Sequence, residues 1–463
     1  MPADVAALVE ELERSPLAGA SSLIQALGLG SQPTLSRLVA RAGERVVAIG
    51  RARARRYAAA RGVRGLPPSI PLYRVTPGGE LVRLAGIRAW APRGHWVESE
   101  TPLPRWMRGP AGDGNFGALP AFLLDQRPQG FIGASFTRRH PALELPDDPR
   151  QWSNDDCLVA LASAGDDGIG DLVLGDDSAR RLYALWSEAP AIVAREERAR
   201  AYPAFALQAI EGATPGATLG GSQPKFAALT GDGDAARHVV VKFSSAEFSP
   251  AARRWCDLLV AEHLALAALR ANGIAAVASE VVEGGSRVFL ETARFDRAGL
   301  RGRRPVVTLA AVLAEHAGAP GMRTGWSAAV DRLRDARMVS AATRDTLRVI
   351  ETYGRFIANA DMHHGNLSFL PQDDGTLALA PVYDMLPMAY APIGGDVPER
   401  AFEPPAPEPG HEDAWRRASA LATGFWRTVA RDDRASQAFR AIAAANADAI
   451  ARTVARFEGK ASG

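Results

Sequence analysis

The chain has 463 residues, 47% hydrophobic and 23% charged, with a formal net charge of +2 and two cysteines. That length suggests two to four domains, and the composition excludes a disordered, collagen-like or disulfide-framed protein. No apolar run approaches the roughly eighteen residues of a membrane span, the acidic start lacks a secretory pattern, and Cys157 and Cys256 fit a reducing compartment, so a cytoplasmic protein with no membrane partner is expected.

Residues 1–65 are expected to form the first domain. Helices are predicted over residues 4–14 and 21–27. A third follows Ser31, with Pro33 in its first turn, Leu35, Leu38 and Val39 on one face and Gln32, Thr34, Ser36 and Arg37 on the other. Two helices joined by a tight turn at Gly28 match the DNA-reading arrangement. Short strands over 45–49 and 53–58, flanking Gly50, then make a basic hairpin. Between Arg37 and Arg64 stand nine arginines against the single acid Glu44. The whole reads as a winged helix-turn-helix that binds DNA through residues 20–60, with Gln32, Thr34, Ser36, Arg37, Arg41, Arg51, Arg53 and Arg55 as candidate contacts. The blander alternative is two packed helices beside a solvated basic hairpin.

After a linker at 66–69, a hairpin is predicted from Leu72 to Trp90, then a long Gly/Pro-rich loop over 108–120 and helical periodicity over 178–211. The chemistry starts beyond it. Lysine is scarce: only Lys225, Lys242 and Lys460 appear among 54 basic residues. A compact ammonium suits a phosphate or a buried site better than a guanidinium does. Lys225 closes a glycine-rich turn, Gly216 to Phe226, in which Gly220, Gly221, Ser222 and Gln223 could turn backbone N–H groups toward phosphate. Lys242 sits in the β-branched run 238–243, and the helix predicted over 255–272 carries Glu262. Glycine-rich loop, strand lysine and helix glutamate follow the order in which protein kinases clamp ATP. The strand 288–293 then reaches Ala293-Arg294-Phe295-Asp296, where a hinge could hold adenine through backbone groups at Ala293 and Phe295.

A polar loop follows the helix that passes Tyr353. It holds Asn359, Asp361, His363, His364 and Asn366 in a chain with eight histidines and six asparagines. Asp361 can take a hydroxyl proton, and Asn366, five residues on, can offer Mg2+ a carbonyl oxygen. That is the D-x-x-x-x-N spacing of a kinase catalytic loop. The strand predicted over 377–383 delivers Asp384 to a second metal position. A metal-dependent nuclease, with Asp361, His363, His364 and Asp384 as ligands and the basic hairpin presenting DNA, explains the histidines but leaves the glycine-rich loop and both lysines idle. A DNA-binding regulator with an inactive kinase-like region is a third reading.

Together, Leu219 to Lys225, Val241-Lys242, Ala293-Arg294-Phe295-Asp296-Arg297, Asn359-x-Asp361-x-His363-x-x-Asn366 and Tyr383-Asp384-Met385-Leu386 resemble the HipA-type serine/threonine kinases of type II toxin–antitoxin systems. The resemblance covers roughly 70–460. It implies an α+β chain: the winged domain, an N-terminal kinase-like lobe over 70–295 and a mostly helical C-terminal lobe over 296–463. ATP and Mg2+ would be the cofactors, with Lys242 on the phosphates, Asp361 as base beside His363, and Asn366 and Asp384 on the metal. Family members carry a regulatory serine in the glycine-rich loop; Thr218 stands there in this chain. The implied substrate is a translation protein such as an aminoacyl-tRNA synthetase. The fused DNA-binding domain departs from the usual separate antitoxin, and paired half-sites make a homodimer an expectation.

Overall fold

The computed structural model describes residues 4–133, 135–212, 223–316 and 325–461. At the start, α1 (Val5–Arg14), β1 (Ala18–Gly19), α2 (Ala20–Ala26) and α3 (Gln32–Ala42) precede β2 (Val46–Ile49) and β3 (Arg56–Ala59). The Asp4 carboxylate caps α1 by accepting from the Ala7 N–H at 2.9 Å. Leu8, Leu12, Leu23, Leu35, Leu38, Val46 and Tyr57 bury one face of each element in a common core. The three strands form one sheet in the order β1-β3-β2. The two-residue β1 has no counterpart in the hydrophobic pattern. The second hairpin strand begins at Arg56 rather than at 53, because residues 52–54 wind into a short 3-10 turn. Positive φ at Gly50 and Ala52 starts that turn.

A second sheet, ordered β7-β6-β5-β4-β8, is built from β4 (Ile70–Val75), β5 (Leu81–Trp90), β6 (Gly94–Glu98), β7 (Asn115–Phe116) and β8 (Leu172–Leu174). The chain between its strands and just after them forms α4 (Gly130–Gly133), whose Phe131 packs instead on Phe243 of the next sheet, and α5 (Phe136–Arg139), α6 (Asn154–Ala164) and α7 (Asp176–Ser187). Ser153 and Asp156 close a capping box on α6, whose Cys157, Leu158 and Leu161 are buried in the core this sheet shares. The first domain docks here firmly. Val47, Ile49 and Ala58 bury against Trp90, the Ala91 N–H donates to the Ala59 carbonyl at 2.9 Å, and Arg61 pairs with Asp155.

The third sheet runs β12-β13-β11-β10-β9, from β9 (Ile192–Val193), β10 (Lys225–Thr230), β11 (Arg237–Phe243), β12 (Ser279–Gly284) and β13 (Arg287–Ala293). The helical stretch expected over 178–211 is divided by β9 into α7 and α8 (Arg198–Glu211). From α8, Tyr202 packs into a cluster with Phe226, Phe243 and Phe289 on one face of the sheet. The long helix α9 (Pro250–Ala271) crosses beside it, capped by Ser249. The expected lobe 70–295 therefore carries two separate sheets.

Beyond β14 (Arg297–Ala298), β15 (Gly302–Arg303) and β16 (Val307–Thr308), helices dominate: α10 (Leu309–His316), α11 (Trp326–Asp335), α12 (Ala341–Phe356), α13 (Glu412–Arg431) and α14 (Gln437–Ala461). Two short strands, β17 (Ser368–Pro371) and β18 (Leu377–Leu379), complete a small sheet in which β17 lies between β16 and β18. The strand expected over 377–383 ends at Leu379, two residues before Pro381, and the chain resumes extended pairing only as a bridge from Val382 to Ala276. Trp326, Tyr353, Phe356, Phe425, Trp426 and Phe439 are fully buried here.

Candidate active site

In the antiparallel ladder of β10 and β11, Lys225 and Lys242 are register partners. Both side chains are buried, which a lone ammonium tolerates poorly. Lys242 is compensated. Its Nζ donates to both oxygens of Glu262 on α9, at 2.7 and 2.8 Å, and to the Asp384 carboxylate. Glu262 is 1% exposed, so this is an interior ion pair rather than a solvated helix position. Burial alone would lower the Lys242 ammonium, yet Asp384 and Glu262 hold it above its ordinary range. Burial pushes Glu262 up despite Lys242. Burial would also raise Asp384, but Lys242 and Lys225 keep it below the usual carboxylate range. Lys225 is lowered to about 8 by burial.

The polar loop meets this cluster from the other side. After α12 the chain turns through Ala358 at φ +58 and buries Asn359. Asn359 Nδ2 donates to the Asp384 carbonyl at 3.3 Å, and its Oδ1 accepts from the Asp361 N–H at 3.0 Å. Asn366 Nδ2 donates to the Asp361 carbonyl at 2.9 Å, tying the two ends of the D-x-x-x-x-N stretch together. Asp361 and His363 are exposed, whereas His364 is buried. Asp384 has φ +52, a backbone state a non-glycine residue holds only when its surroundings fix it. Tyr383 supplies part of that fixing: its hydroxyl donates to the Gly365 carbonyl at 2.8 Å and lies 2.7 Å from Ser368 Oγ. Gly354 of α12 passes so close to Met362 that a Cβ would stand 2.3 Å from its sulfur. The helix and the loop are thereby held in contact.

At the expected hinge, the Ala293 N–H is spent on the Ala278 carbonyl at 2.9 Å, and Phe295 lies against Tyr383 with ring centroids 5.8 Å apart. Between them the sequence hid an interior network. Arg294 and Arg297 both bond Asp296 and Asp167, and Gly170 N–H donates to Asp296 at 3.0 Å. The only signal for Asp167 was its place in Asp166-Asp167-Gly168, before β8.

Do these residues fit a nucleotide with a divalent cation? Asp384 and the Asn366 amide offer the hard oxygens that Mg2+ prefers, and two ammoniums act on Asp384. Gln223 Nε2, two residues before Lys225, is a buried donor without a partner among the described residues, as expected beside an anion. The donor set fits. No three His, Cys, Asp or Glu side chains converge on a metal site among the described residues. Asp361, His363, His364 and Asp384 thus do not form the ligand cluster a nuclease needs. A kinase site completes its coordination with phosphate oxygens and needs none.

Thr218, Gly220, Gly221 and Ser222 lie outside the described residues, as does the Arg53 side chain. Gln32, Ser36, Arg37, Arg41, Arg51 and Arg55 are exposed, and Thr34 is half-buried with its hydroxyl 3.0 Å from Ser31 Oγ. Arg61, counted within the basic stretch, is instead committed to Asp155. No helix among the described residues is long and apolar enough to cross a membrane.

Comparison with known proteins adds to this geometry. Residues 66–183 match the family model of the YjjJ-like toxin middle domain, and residues 217–456 that of the HipA-like C-terminal domain. The chain is 40% identical over 417 residues to Toxin YjjJ of Escherichia coli K12, covering 89% of this chain and 90% of that protein. Its fold is similar to a chain from the Shewanella oneidensis MR-1 toxin–antitoxin complex of HipA, HipB and operator DNA. The TM-score is 0.51 at 14% identity, over 84% of this chain and 97% of that one.

Proposed function

The chain belongs to the HipA-like toxins, and from that premise we propose that it is an ATP- and Mg2+-dependent protein serine/threonine kinase whose N-terminal domain is a winged helix-turn-helix that binds DNA. One observation carries the kinase reading. Lys242 bonds Glu262 and Asp384 together, so the phosphate-clamping pair and the metal carboxylate meet at one point, with the Asp361–Asn366 loop tied to the same Asp384 through Asn359. Such a site needs little covalent chemistry; positioning and charge neutralisation supply most of the catalysis.

In this mechanism Lys242 and Lys225 neutralise phosphate oxygens from the strand side, and Glu262 fixes the Lys242 ammonium. Gln223 adds a donor at the glycine-rich loop, where Gly220, Gly221 and Ser222 would contribute backbone N–H groups. Asp361, exposed at the loop tip, accepts the proton of the substrate hydroxyl as it attacks, and His363 lies at the same rim. Asn366 and Asp384 would hold Mg2+, which supplies the charge that draws off electron density from the transferring phosphoryl group. Ala293 and Phe295 would border the base. Thr218 is the candidate regulatory phosphorylation site. The exposed side chains of α3 and the hairpin, Gln32, Ser36, Arg37, Arg41, Arg51 and Arg55, face a duplex, and the solved HipA relative is a complex with operator DNA. A translation protein is the substrate class, and a homodimer reading paired half-sites is the assembly this reading favours.

Incubating the purified protein with Mg2+ and γ-labelled ATP, and separately with plasmid DNA, tests the proposal. Label on protein that disappears in Asp361→Asn while nucleotide binding survives supports it. Nicked plasmid without label transfer would replace it with the nuclease, and neither activity would leave a DNA-binding regulator.

A further inference from the structure

A cavity of about 370 Å³ opens in the helical lobe, away from the nucleotide site, between α11, α12 and the segment leading into α13. This size lies at the small end of ligand pockets. Its floor is one face of α12, where Arg348, Thr352 and Arg355 recur at i, i+4 and i+7. Two carboxylates answer them: Asp331 holds Arg348 at 3.3 Å, and Glu408 holds Arg355 at 2.6 Å. Arg355 and Glu408 are each about half exposed, so their pairing is weak and open to exchange. The His411 ring lies 3.6 Å from Glu408 at the rim.

The third acid lining the cavity is already spent. Glu351 accepts the Trp326 and Ser327 N–H groups at 2.9 and 2.8 Å, capping α11. Setting it aside leaves two guanidiniums and two carboxylates, a neutral set of both signs that no simple anion or cation matches in full. One donor is unspent: Arg348 Nε is buried and has no partner among the described residues. Such a donor, with a hydroxyl one turn along the helix, suits a carboxylate.

We propose that this cavity binds a free α-amino acid, its carboxylate on Arg348, Thr352 and Arg355 and its ammonium on Asp331 or Glu408. The site has a route to the chemistry. Glu351, which lines the cavity, accepts the Trp326 N–H, and the buried Trp326 indole donates to the His363 carbonyl at 3.1 Å, so one residue behind the wall links it to the catalytic loop. The occupant is then an effector rather than a substrate, and its binding does not depend on the kinase reading.

Thermal shift and isothermal calorimetry on the full-length protein, with each free proteinogenic amino acid at millimolar concentration, test this directly. At least one amino acid should raise the melting temperature, while its N-acetyl and carboxamide derivatives, each lacking one charge, should not. Arg348→Met keeps the stem of the side chain and should weaken binding about tenfold. Thr352→Val serves as a second variant should the first fold poorly. No stabilisation by any amino acid, or a shift that survives both substitutions, would overturn the proposal while leaving label transfer from ATP unaffected.

Discussion

Lys225 and Lys242 face each other across one rung of the β10–β11 ladder, and the Lys242 ammonium bonds both Glu262 and Asp384. Placing like charges side by side in a buried strand pair is costly unless something negative joins them. The pair of acids holds the Lys242 proton, whereas burial lowers the affinity of Lys225 for its own. The two lysines therefore respond differently to substitution and to pH.

Removing Lys242 takes away the shared counter-ion of two interior carboxylates. Lys242→Met should cost about 3–5 kcal/mol of stability and abolish label transfer. The double variant Lys242→Met/Glu262→Gln should regain much of that stability without regaining activity, because the uncompensated Glu262 charge is gone. Urea denaturation alongside label transfer separates the two effects. If the double variant were as unstable as the single one, the ion pair would not be what the interior needs.

Lys225 sets a pH window. Its folded-state value is about 8, below the ordinary lysine value of 10.5. Between these limits the unfolded chain holds a proton that the native chain has released, so stability rises with pH through the window. Below about 8 both states are protonated and the burial penalty is present in full. Lys225→Met should flatten this rise in melting temperature between pH 8 and 10. Phosphate bound next to Lys225 would favour its charged form, so wild-type affinity for ATP should fall across the same window and the variant's should not.

The legibility of this site follows from composition. In a chain that uses arginine almost everywhere, two lysines on neighbouring strands and a cluster of asparagines and histidines stand out, and the structure brings Lys242 from the one and Asn359 from the other onto Asp384. Glu262 was readable as a helix residue three turns into a long amphipathic stretch, but its burial was not, since periodicity does not report what covers a face. Asp167 was unreadable. It meets Arg294 and Arg297 over a separation of more than a hundred residues, and nothing local in Asp166-Asp167-Gly168 distinguishes an interior partner from a turn. The start of the second hairpin strand was misplaced for a backbone reason: positive φ at Ala52, which is no glycine, begins a 3-10 turn that residue type does not announce.

That hinge network makes its own prediction. Asp296 would be raised by burial, but Arg294 and Arg297 hold it far below the usual range. A depressed carboxyl stabilises the fold above its unfolded value, near 3.9, and loses that contribution as pH falls toward the folded value. Asp296→Asn should cost about 3 kcal/mol at pH 7 and show a shallower loss of melting temperature between pH 5 and 3. Because Ala293 and Phe295 flank this network, the variant should also raise KM for ATP more than it lowers kcat. Equal effects on both would detach the network from the base-binding edge.

DNA binding by the first domain should obey counter-ion release. The arginines of α3, Arg37 and Arg41, are exposed beside its buried face of Leu35, Leu38 and Ala42, and no carboxylate pairs with them among the described residues. Each one that meets a phosphate releases a counter-ion, so Arg37→Ala or Arg41→Ala should reduce the slope of log affinity against log salt by about 1. Arg61→Ala belongs to another class. Its guanidinium is held by Asp155 in the docking contact with the second sheet, so the salt slope should stay unchanged while the melting temperature falls. Fluorescence anisotropy with a labelled duplex at several salt concentrations measures all three slopes. An Arg61 variant that altered the slope as the α3 variants do would place the duplex across the domain junction rather than on α3 and the hairpin alone.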